Sequence, residues 1–318
     1  MEKRPLGKTG ITIAPMVLGG NVFGWTVDEK RSFELLDSFI DAGLNAIDTA
    51  DIYSAWVPGN HGGESESIIG KWLQKRPGNR EKVVLITKVG SEFSPERKGL
   101  SERWIVQAVE DSLKRLQTDR IDVYLSHWPD PQTPYEETLA AYDKLLKAGK
   151  VRSIGASNLN AAQLSESLSV AKSKSLPRYE VLQPEYNLYE RSQFDGALRG
   201  LTQKENIGVI VYYSLASGFL SGKYRTKDDA GKSPRGKGIA EKYLNDRGLR
   251  ILAALDQVSG ELNAQPSEVA LAWLIARPGV TAPIASATSL DQMARLVRST
   301  QVKLSSGQRA LLDGIEQS

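Results

Sequence analysis

The stretch Ile121-Asp-Val-Tyr-Leu-Ser-His127 is a short, largely apolar run that ends in an ionisable side chain. Two earlier stretches have the same form, Leu44-Asn-Ala-Ile-Asp48 and Val83-Val-Leu-Ile-Thr-Lys88. In the first stretch the odd positions are Ile, Val, Leu and His, so a strand would place His127 on an apolar face. If the three runs are parallel strands of one sheet, their ionisable ends meet at the edge where parallel α/β proteins do their chemistry.

Strand and helix patterns alternate along the rest of the chain. The predicted helices have apolar positions at helical spacing, with Ser101 as one predicted N-cap and Thr26–Glu29 as a capping box. Eight strands that alternate with helices favour a (β/α)8 TIM barrel in a single domain, residues 1–318. A doubly wound sheet is the alternative, although no G-x-G-x-x-G motif marks its topological switch. The predicted strands are residues 16–18, 44–48, 83–88, 121–127, 151–156, 180–183, 208–212 and 282–285.

Three segments stand outside this alternation. Residues 4–6 and 11–13 flank a glycine-containing turn, which predicts an N-terminal β-hairpin. Residues 51–63 and 222–248 are longer than most connections. Residues 222–248, called the flap here, contain eight Lys or Arg residues against four acids. The flap is interpreted either as a solvated or disordered insertion or as a basic cover over a phosphate-bearing ligand.

Composition excludes several classes of function. The net charge is +3, and the basic residues are scattered, which is not typical of a nucleic-acid-binding protein. There is no cysteine and there are two histidines, so disulfides, thiolate metal sites and multi-histidine metal sites are excluded, and we expect no metal. No signal-like segment opens the chain, and no apolar stretch approaches the roughly 18 residues of a membrane span. We therefore expect a cytoplasmic protein without membrane or nucleic-acid partners.

The residue types at the strand ends indicate proton transfer. A lysine on an apolar face is costly unless it is paired, and Asp48 is the expected partner of Lys88. Tyr53 follows Asp48 by five residues, and a nearby ammonium would lower its phenol pKa from about 10. His127 could bind a substrate oxygen or relay a proton. A lone strand-end Asp is more often a capping residue and a lone His more often a core residue, but their coincidence favours a site. Such a site can protonate a forming alkoxide, which is half of a carbonyl reduction.

Six motifs resemble the aldo-keto reductase superfamily, in its bacterial-type members, along nearly the whole chain. The resemblance implies a TIM barrel and a carbonyl reductase that uses a nicotinamide cofactor. It implies that Tyr53 is the general acid/base, that Lys88 and Asp48 tune it, and that His127 orients the substrate. The motifs are Ala46-Ile-Asp48-Thr-Ala-Asp-Ile-Tyr53, Leu85-Ile-Thr-Lys88, Asp122-Val-Tyr-Leu-Ser-His127-Trp-Pro, Ile154-Gly-Ala-Ser-Asn158, Gln183-Pro-Glu-Tyr-Asn187 and Leu215-Ala-Ser-Gly-Phe-Leu-Ser-Gly-Lys-Tyr224.

The same resemblance implies the cofactor contacts. The nicotinamide end would meet two kinds of group, the amide-binding side chains Ser157, Asn158 and Gln183 and the stacking ring of Tyr212. The ribose and pyrophosphate would lie near Gly20, Asn21, Leu215, Gly218 and Lys223, which makes the flap a mobile cover. The adenosine phosphates would meet a helix start with Ser286, Thr288 and Gln292. Arg295 stands where the family usually has an acid, so a 2′-phosphate contact favours NADPH, with NADH as the alternative.

The substrate pocket is predicted from aromatic residues in the loops after the first four strands. They favour an apolar or aromatic carbonyl compound, although loop packing explains such rings equally well, and they are Phe23, Trp25, Trp56, Phe93 and Trp128. Two other functions remain as alternatives. One is a redox-sensing subunit that binds nicotinamide and turns over slowly. The other is a Schiff-base lyase with Lys88 as its nucleophile. The physiological substrate and the oligomeric state are open at this point.

Overall fold

Eight parallel strands close into a barrel in the part of the chain that the computed structural model describes, residues 2–315. The order around the barrel follows the chain, and the last strand pairs with both the strand before it and the first. The predicted (β/α)8 barrel is confirmed, and the doubly wound sheet, which would have open edges, is excluded. The barrel strands are β3 (Val17–Gly19), β4 (Ala46–Asp48), β5 (Val84–Val89), β6 (Ile121–Ser126), β7 (Val151–Ser157), β8 (Val181–Gln183), β9 (Gly208–Val211) and β10 (Ala282–Ala285).

Helices on the outside of the barrel connect its strands. Their buried faces pack on the strands in one continuous apolar layer. Ser101 is confirmed as an N-cap and accepts a hydrogen bond from the Trp104 amide. The capping box at Thr26 is wrong, because Asp28 is the N-cap of the first helix and accepts from the Arg31 amide at 2.8 Å. Within residues 2–315 the helices are α1 (Glu29–Asp41), α2 (Glu64–Lys75), α3 (Asn79–Lys82), α4 (Glu102–Leu116), α5 (Tyr135–Lys147), α6 (Ala161–Ser173), α7 (Ala197–Glu205), α8 (Gly236–Tyr243), α9 (Asp246–Leu262), α10 (Pro266–Ile275), α11 (Leu290–Ser299) and α12 (Ser306–Gly314).

The predicted hairpin is confirmed as β1 (Arg4–Pro5) and β2 (Thr12–Ile13), and it covers the amino-terminal end of the barrel. Its apolar side chains join those that fill the barrel interior, in a cluster that includes Leu6, Ile11 and Ile13. The Arg4 side chain attaches the hairpin to the end of α10 and to the residue before β10, because it donates to the carbonyl oxygens of Ile275 and Thr281 at 2.9 and 3.2 Å. The hairpin therefore closes one end of the barrel and leaves the opposite end for a site.

Strand register places the residues of interest at that opposite end. Gly19 pairs with Asp48 across β3 and β4, and Ser157 pairs with Gln183 across β7 and β8. These residues end their strands, and the carboxyl ends of the strands form the face where TIM barrels carry their sites. None of the helices in the described residues is long and apolar enough to span a membrane.

The flap is structured. It contains a 3₁₀ segment, Lys227–Lys232, followed by α8, which buries Gly236, Ile239 and Tyr243. The ring of Tyr243 stacks on Phe219 with centroids 5.4 Å apart. The flap is therefore an ordered segment in this structure and not a disordered insertion, although many of its residues are exposed.

Candidate active site

A buried ammonium lies at the centre of the open end of the barrel. Lys88 comes one residue before the end of β5, and its side chain is fully buried. Its Nζ donates to Asp48 Oδ2 at 2.7 Å, to the Thr49 carbonyl oxygen at 2.7 Å and to the Tyr53 hydroxyl at 3.0 Å. The three donors of the ammonium therefore have three partners. Burial lowers the pKa of Lys88, and the charge of Asp48 opposes that shift.

The Tyr53 hydroxyl lies between the two charged groups. It is 3.0 Å from Lys88 Nζ, and it donates to Asp48 Oδ2 at 3.4 Å. The expected lowering of its pKa by Lys88 is wrong for this structure, since burial and then Asp48 hold the pKa of Tyr53 well above its ordinary value. Burial disfavours the charged phenolate, and the negative charge of Asp48 and its hydrogen bond from the phenol act in the same direction. Tyr53 is therefore a neutral phenol that holds its proton.

His127 follows β6 and approaches Tyr53 edge to face, with ring centroids 6.1 Å apart. Its Nδ1 is 2.9 Å from the Ser91 hydroxyl, and its ring stacks on Trp128. Burial, and then the charge of Lys88, places the pKa of His127 well below its ordinary value. The imidazole is therefore neutral at pH 7 and can offer one N–H to a substrate oxygen.

The residues predicted for the nicotinamide amide form one hydrogen-bonded group beside Asp48. Gln183 Nε2 donates to Asp48 Oδ1 at 2.8 Å, although 135 residues separate the two. The Ser157 hydroxyl donates to the Gln183 carbonyl oxygen at 2.7 Å. Asn158, whose φ of +64° is left-handed, donates to the His127 carbonyl oxygen at 2.9 Å and accepts from the Tyr212 hydroxyl at 2.7 Å. The structure thus brings Ser157, Asn158, Gln183 and Tyr212 together.

The junction of β10 and β3 brings together the next predicted group. The Ser286 hydroxyl donates to Asn21 Oδ1 at 2.5 Å. The glycine leaves room for this contact, because a Cβ on Gly19 would lie 2.6 Å from Ser286 Oγ and would displace that side chain. A Cβ on Gly20 would similarly lie 2.8 Å from Ser65 Oγ. Gly19 therefore lies close to the loop that follows β10, and Gly20 lies close to the start of α2.

The start of α11 contains a converging pair of donors. The Thr288 amide and hydroxyl both donate to Gln292 Oε1, at 2.9 and 3.2 Å. Arg295 lies further along the same helix, and its Nη2 pairs with Asp291 at 2.9 Å. Arg295, which is predicted to contact a 2′-phosphate, thus has Asp291 as a partner in this structure.

The remaining cofactor candidates lie in the turn after β9. Leu215 is half-buried and precedes the 3₁₀ segment Ala216–Ser221. Gly218 has a φ of +103°, and a Cβ there would have the Lys223 side chain, at 3.8 Å, as its nearest neighbour. Lys223 itself is exposed, with its Nζ 5.1 Å from the Tyr224 ring. Leu215, Gly218 and Lys223 are therefore partly or fully exposed to solvent in the segment that follows Tyr212.

The five predicted pocket aromatics divide into two groups. Trp56 and Trp128 are about half exposed, and Trp25 packs edge to face on Trp56 with centroids 5.7 Å apart. Trp56 in turn lies 6.1 Å from the Tyr53 ring. Phe23 is instead fully buried in the core, and Phe93 is half-buried against Trp104. We therefore place only the three tryptophans at the mouth of the site.

Three further residues at the mouth were not predicted. Ser91 contacts His127, and Tyr213 is 45% exposed beside Tyr212. The Arg235 guanidinium of the flap lies 4.6 Å from the Trp25 ring centroid. Residues 91 and 235 lie in loops whose course the sequence does not fix.

The sequence matches the model of the aldo/keto reductase family over residues 15–317. The chain belongs to the aldo/keto reductase family. The uncharacterized oxidoreductase YrpG of Bacillus subtilis is 34% identical over 310 residues, which cover 96% of this chain and 92% of YrpG. The aldo-keto reductase YhdN of Bacillus subtilis is 32% identical, covering 96% and 91%. A probable voltage-gated potassium channel subunit beta of Oryza sativa is 33% identical, covering 95% and 92%.

This aldo/keto reductase is an NAD(P)H-dependent oxidoreductase whose family acts on small-molecule carbonyl substrates. Its residues fit a nicotinamide dinucleotide at both ends. Hydroxyl and amide groups of Ser157, Asn158 and Gln183 suit a carboxamide. At the other end, both donors of Thr288 already point at one oxygen of Gln292, as they would at a phosphate oxygen.

Proposed function

We propose that this protein reduces an aldehyde or ketone to the alcohol, reversibly, with NADPH as the preferred cofactor and Tyr53 as the proton donor. The observation that carries the proposal is the contact of the Tyr53 hydroxyl with Lys88 Nζ at 3.0 Å, beneath an aromatic mouth. The hydroxyl keeps its proton before reaction, since burial and Asp48 raise the Tyr53 pKa. The Lys88 ammonium stabilises the phenolate once the proton has left.

Each member of the group has a separate task in this proposal. Tyr53 and His127 both donate to the carbonyl oxygen, and the proton that moves to the forming alkoxide comes from Tyr53. We assign the Ser91 hydroxyl as the donor in its 2.9 Å contact with His127 Nδ1, which leaves the proton of the neutral ring on Nε2. Asp48 holds Lys88 from one oxygen and Gln183 from the other. NADPH would supply the hydride when bound, and Ser157, Asn158 and Gln183 would hold its carboxamide.

The test is a cofactor-resolved activity screen over aldehydes, ketones and sugars with wild type and Tyr53→Phe. Tyr53→Phe should lower kcat on the order of 10²-fold or more, because a general acid is lost. Cofactor binding, followed by tryptophan fluorescence quenching, should persist. Tyr135→Phe is the matched control, because Tyr135 lies at the start of α5 and should leave kcat unchanged. A Tyr53→Phe variant with near wild-type kcat would overturn the role of Tyr53.

A redox-sensing subunit is the second candidate, and the rice relative named as a channel subunit favours it. For such a subunit we expect tight cofactor binding, a single turnover, and then slow exchange of the oxidised cofactor for the reduced one. A burst of one equivalent of oxidised cofactor, followed by negligible steady-state turnover on every carbonyl tested, would support this function. Steady turnover would exclude it. A Schiff-base lyase is disfavoured, because Lys88 is fully buried and all three of its donors are used.

A further inference from the structure

Arg235 differs from the other cations of the flap in its surroundings. Arg225 pairs with Asp256 at 2.7 Å, and Lys232 pairs with Asp229 at 2.6 Å. Arg235 is half-buried at the N-cap position of α8, with its guanidinium over Trp25. Within residues 2–315, no carboxylate pairs with Arg235 and no oxygen accepts a hydrogen bond from it. A partly desolvated cation without an anion is costly, and a ligand could relieve that cost.

The electrostatic neighbours of Arg235 lie in the active site. Burial lowers the pKa of its guanidinium, and the phenols of Tyr213 and Tyr53 act in the opposite sense. A line of contacts runs from Arg235 to Trp25, from Trp25 to Trp56 and from Trp56 to Tyr53. The guanidinium therefore lies on the Trp25 side of the mouth, close enough to the Tyr213 and Tyr53 phenols for their charges to act on it.

We propose that Arg235 binds an anionic group, a carboxylate or a phosphate, on the far end of the carbonyl substrate. This inference rests on the proposed function, because it assumes that the carbonyl lies at Tyr53. A guanidinium forms paired hydrogen bonds with either anion, and these are stronger than neutral hydrogen bonds. The tryptophans cover the apolar part of the substrate between its two ends. Selectivity for charged over uncharged carbonyl compounds is then set by one flap residue.

The experiment compares two pairs of substrates that differ in one charge. 4-Formylbenzoate and its methyl ester test a carboxylate, and glyceraldehyde 3-phosphate and glyceraldehyde test a phosphate. Each pair is measured with wild type, Arg235→Gln, Arg235→Lys and Lys237→Gln, an exposed control on the same helix. Wild type should prefer the anion of at least one pair in kcat/KM. Arg235→Gln should reduce that preference about ten-fold or more, as expected for one lost charge-assisted hydrogen bond.

The other variants test whether the preference for the anion depends on Arg235 itself and not on another cation of the flap. Arg235→Lys should recover part of the preference through its charge, and Lys237→Gln should match wild type. Activity on the methyl ester should change little in every variant. The affinity for NADPH, measured by fluorescence quenching, should be the same in wild type and Arg235→Gln. The pair that shows the preference identifies the anion.

Two results would overturn the inference. One is wild-type reduction of both members of each pair with equal kcat/KM. The other is weaker NADPH binding by Arg235→Gln with equal losses on charged and uncharged aldehydes, which would assign Arg235 to the cofactor. If no aldehyde is reduced, the proposed function fails. Calorimetric binding of 4-(hydroxymethyl)benzoate to the NADP⁺ complex then tests Arg235 alone, and equal affinities for wild type and Arg235→Gln would overturn its role.

Discussion

Lys88 is a fully buried ammonium, and Asp48 is the carboxylate that balances it at 2.7 Å. Removing one partner of a buried pair leaves an uncompensated charge and costs about 3–5 kcal/mol. An exposed pair such as Arg31 and Glu34 contributes far less, because both groups are solvated. The two pairs therefore allow the buried interaction to be measured against a surface one.

Asp48→Asn should lower the free energy of unfolding by about 3–5 kcal/mol in urea titrations. Glu34→Gln should change it by less than about 1 kcal/mol. We expect kcat to fall less in Asp48→Asn than in Lys88→Met. Asp48→Asn weakens the contact that positions Lys88, whereas Lys88→Met removes the positive charge beside Tyr53. Equal unfolding midpoints for Asp48→Asn and Glu34→Gln would contradict this account of the buried pair.

His127 makes the stability of the protein depend on pH. Its folded pKa is lowered by burial, so between that pKa and about 6.5 the unfolded chain binds more protons. The associated stability is present above pH 6.5 and is lost as the pH falls toward the folded pKa. Lowering the pH from 7.5 to 5.5 should cost about 1.4 kcal/mol through this group.

The measurement is the urea unfolding free energy at pH 7.5 and pH 5.5. His127→Gln should lose about 1.4 kcal/mol less than wild type over this interval. His61→Gln, which replaces the other, exposed histidine, should behave as wild type does. If His127→Gln and wild type show the same pH dependence, His127 is not held neutral by the fold.

At the scale of the residue, the sequence predicted which groups meet but not their electrostatics. Asp48, Lys88 and His127 could be predicted because strand ends fix their positions. The direction of the Tyr53 pKa shift could not, because it depends first on how deeply the phenol is buried and then on its contact with Asp48, and the sequence gives neither. Arg235 could not be predicted either, since the sequence alone leaves the course of the flap open.

At the scale of the element, α11 carries the choice between NADPH and NADH. Arg295 could bind a 2′-phosphate, but Asp291 pairs with it one turn earlier on the same helix. A carboxylate beside an arginine competes with a phosphate for the same donors and repels it. We therefore propose a modest NADPH preference that Asp291 limits.

Asp291→Asn should strengthen NADPH binding several-fold, because it frees Arg295 and removes a negative charge. Arg295→Ala should weaken NADPH binding, and neither variant should alter NADH binding, which lacks the 2′-phosphate. Dissociation constants at low ionic strength, where exposed charges are least screened, provide the measurement. Equal effects on the two cofactors would show that α11 does not distinguish them.

The eight barrel strands could be predicted, with their ends shifted by at most two residues. The strand predicted at residues 44–48 begins at Ala46, for example, because pairing rather than composition sets its start. The flap was ambiguous, since α8 contains two glycines and packs through only a few apolar residues. Contacts such as that of Tyr243 with Phe219 stabilise it, and these contacts are tertiary.

At the scale of the whole molecule, we propose that residues 1–318 form a single domain. Pairing of β10 with β3 joins the two ends of the sheet, so no strand can leave without breaking the barrel. Urea unfolding should give coincident transitions by tryptophan fluorescence and by far-ultraviolet circular dichroism. Well-separated transitions would indicate parts that unfold independently.

The hairpin at the closed end also constrains how the chain is made. Arg4 is synthesised 277 residues before Thr281, whose carbonyl oxygen it must bind. At roughly 5–20 residues per second, the ribosome needs on the order of tens of seconds to supply that partner. Throughout this time Leu6, Ile11 and Ile13 have no finished barrel to cover them. The hairpin is thus made long before its binding partners, and it can complete its contacts with the barrel only after Thr281 has been synthesised.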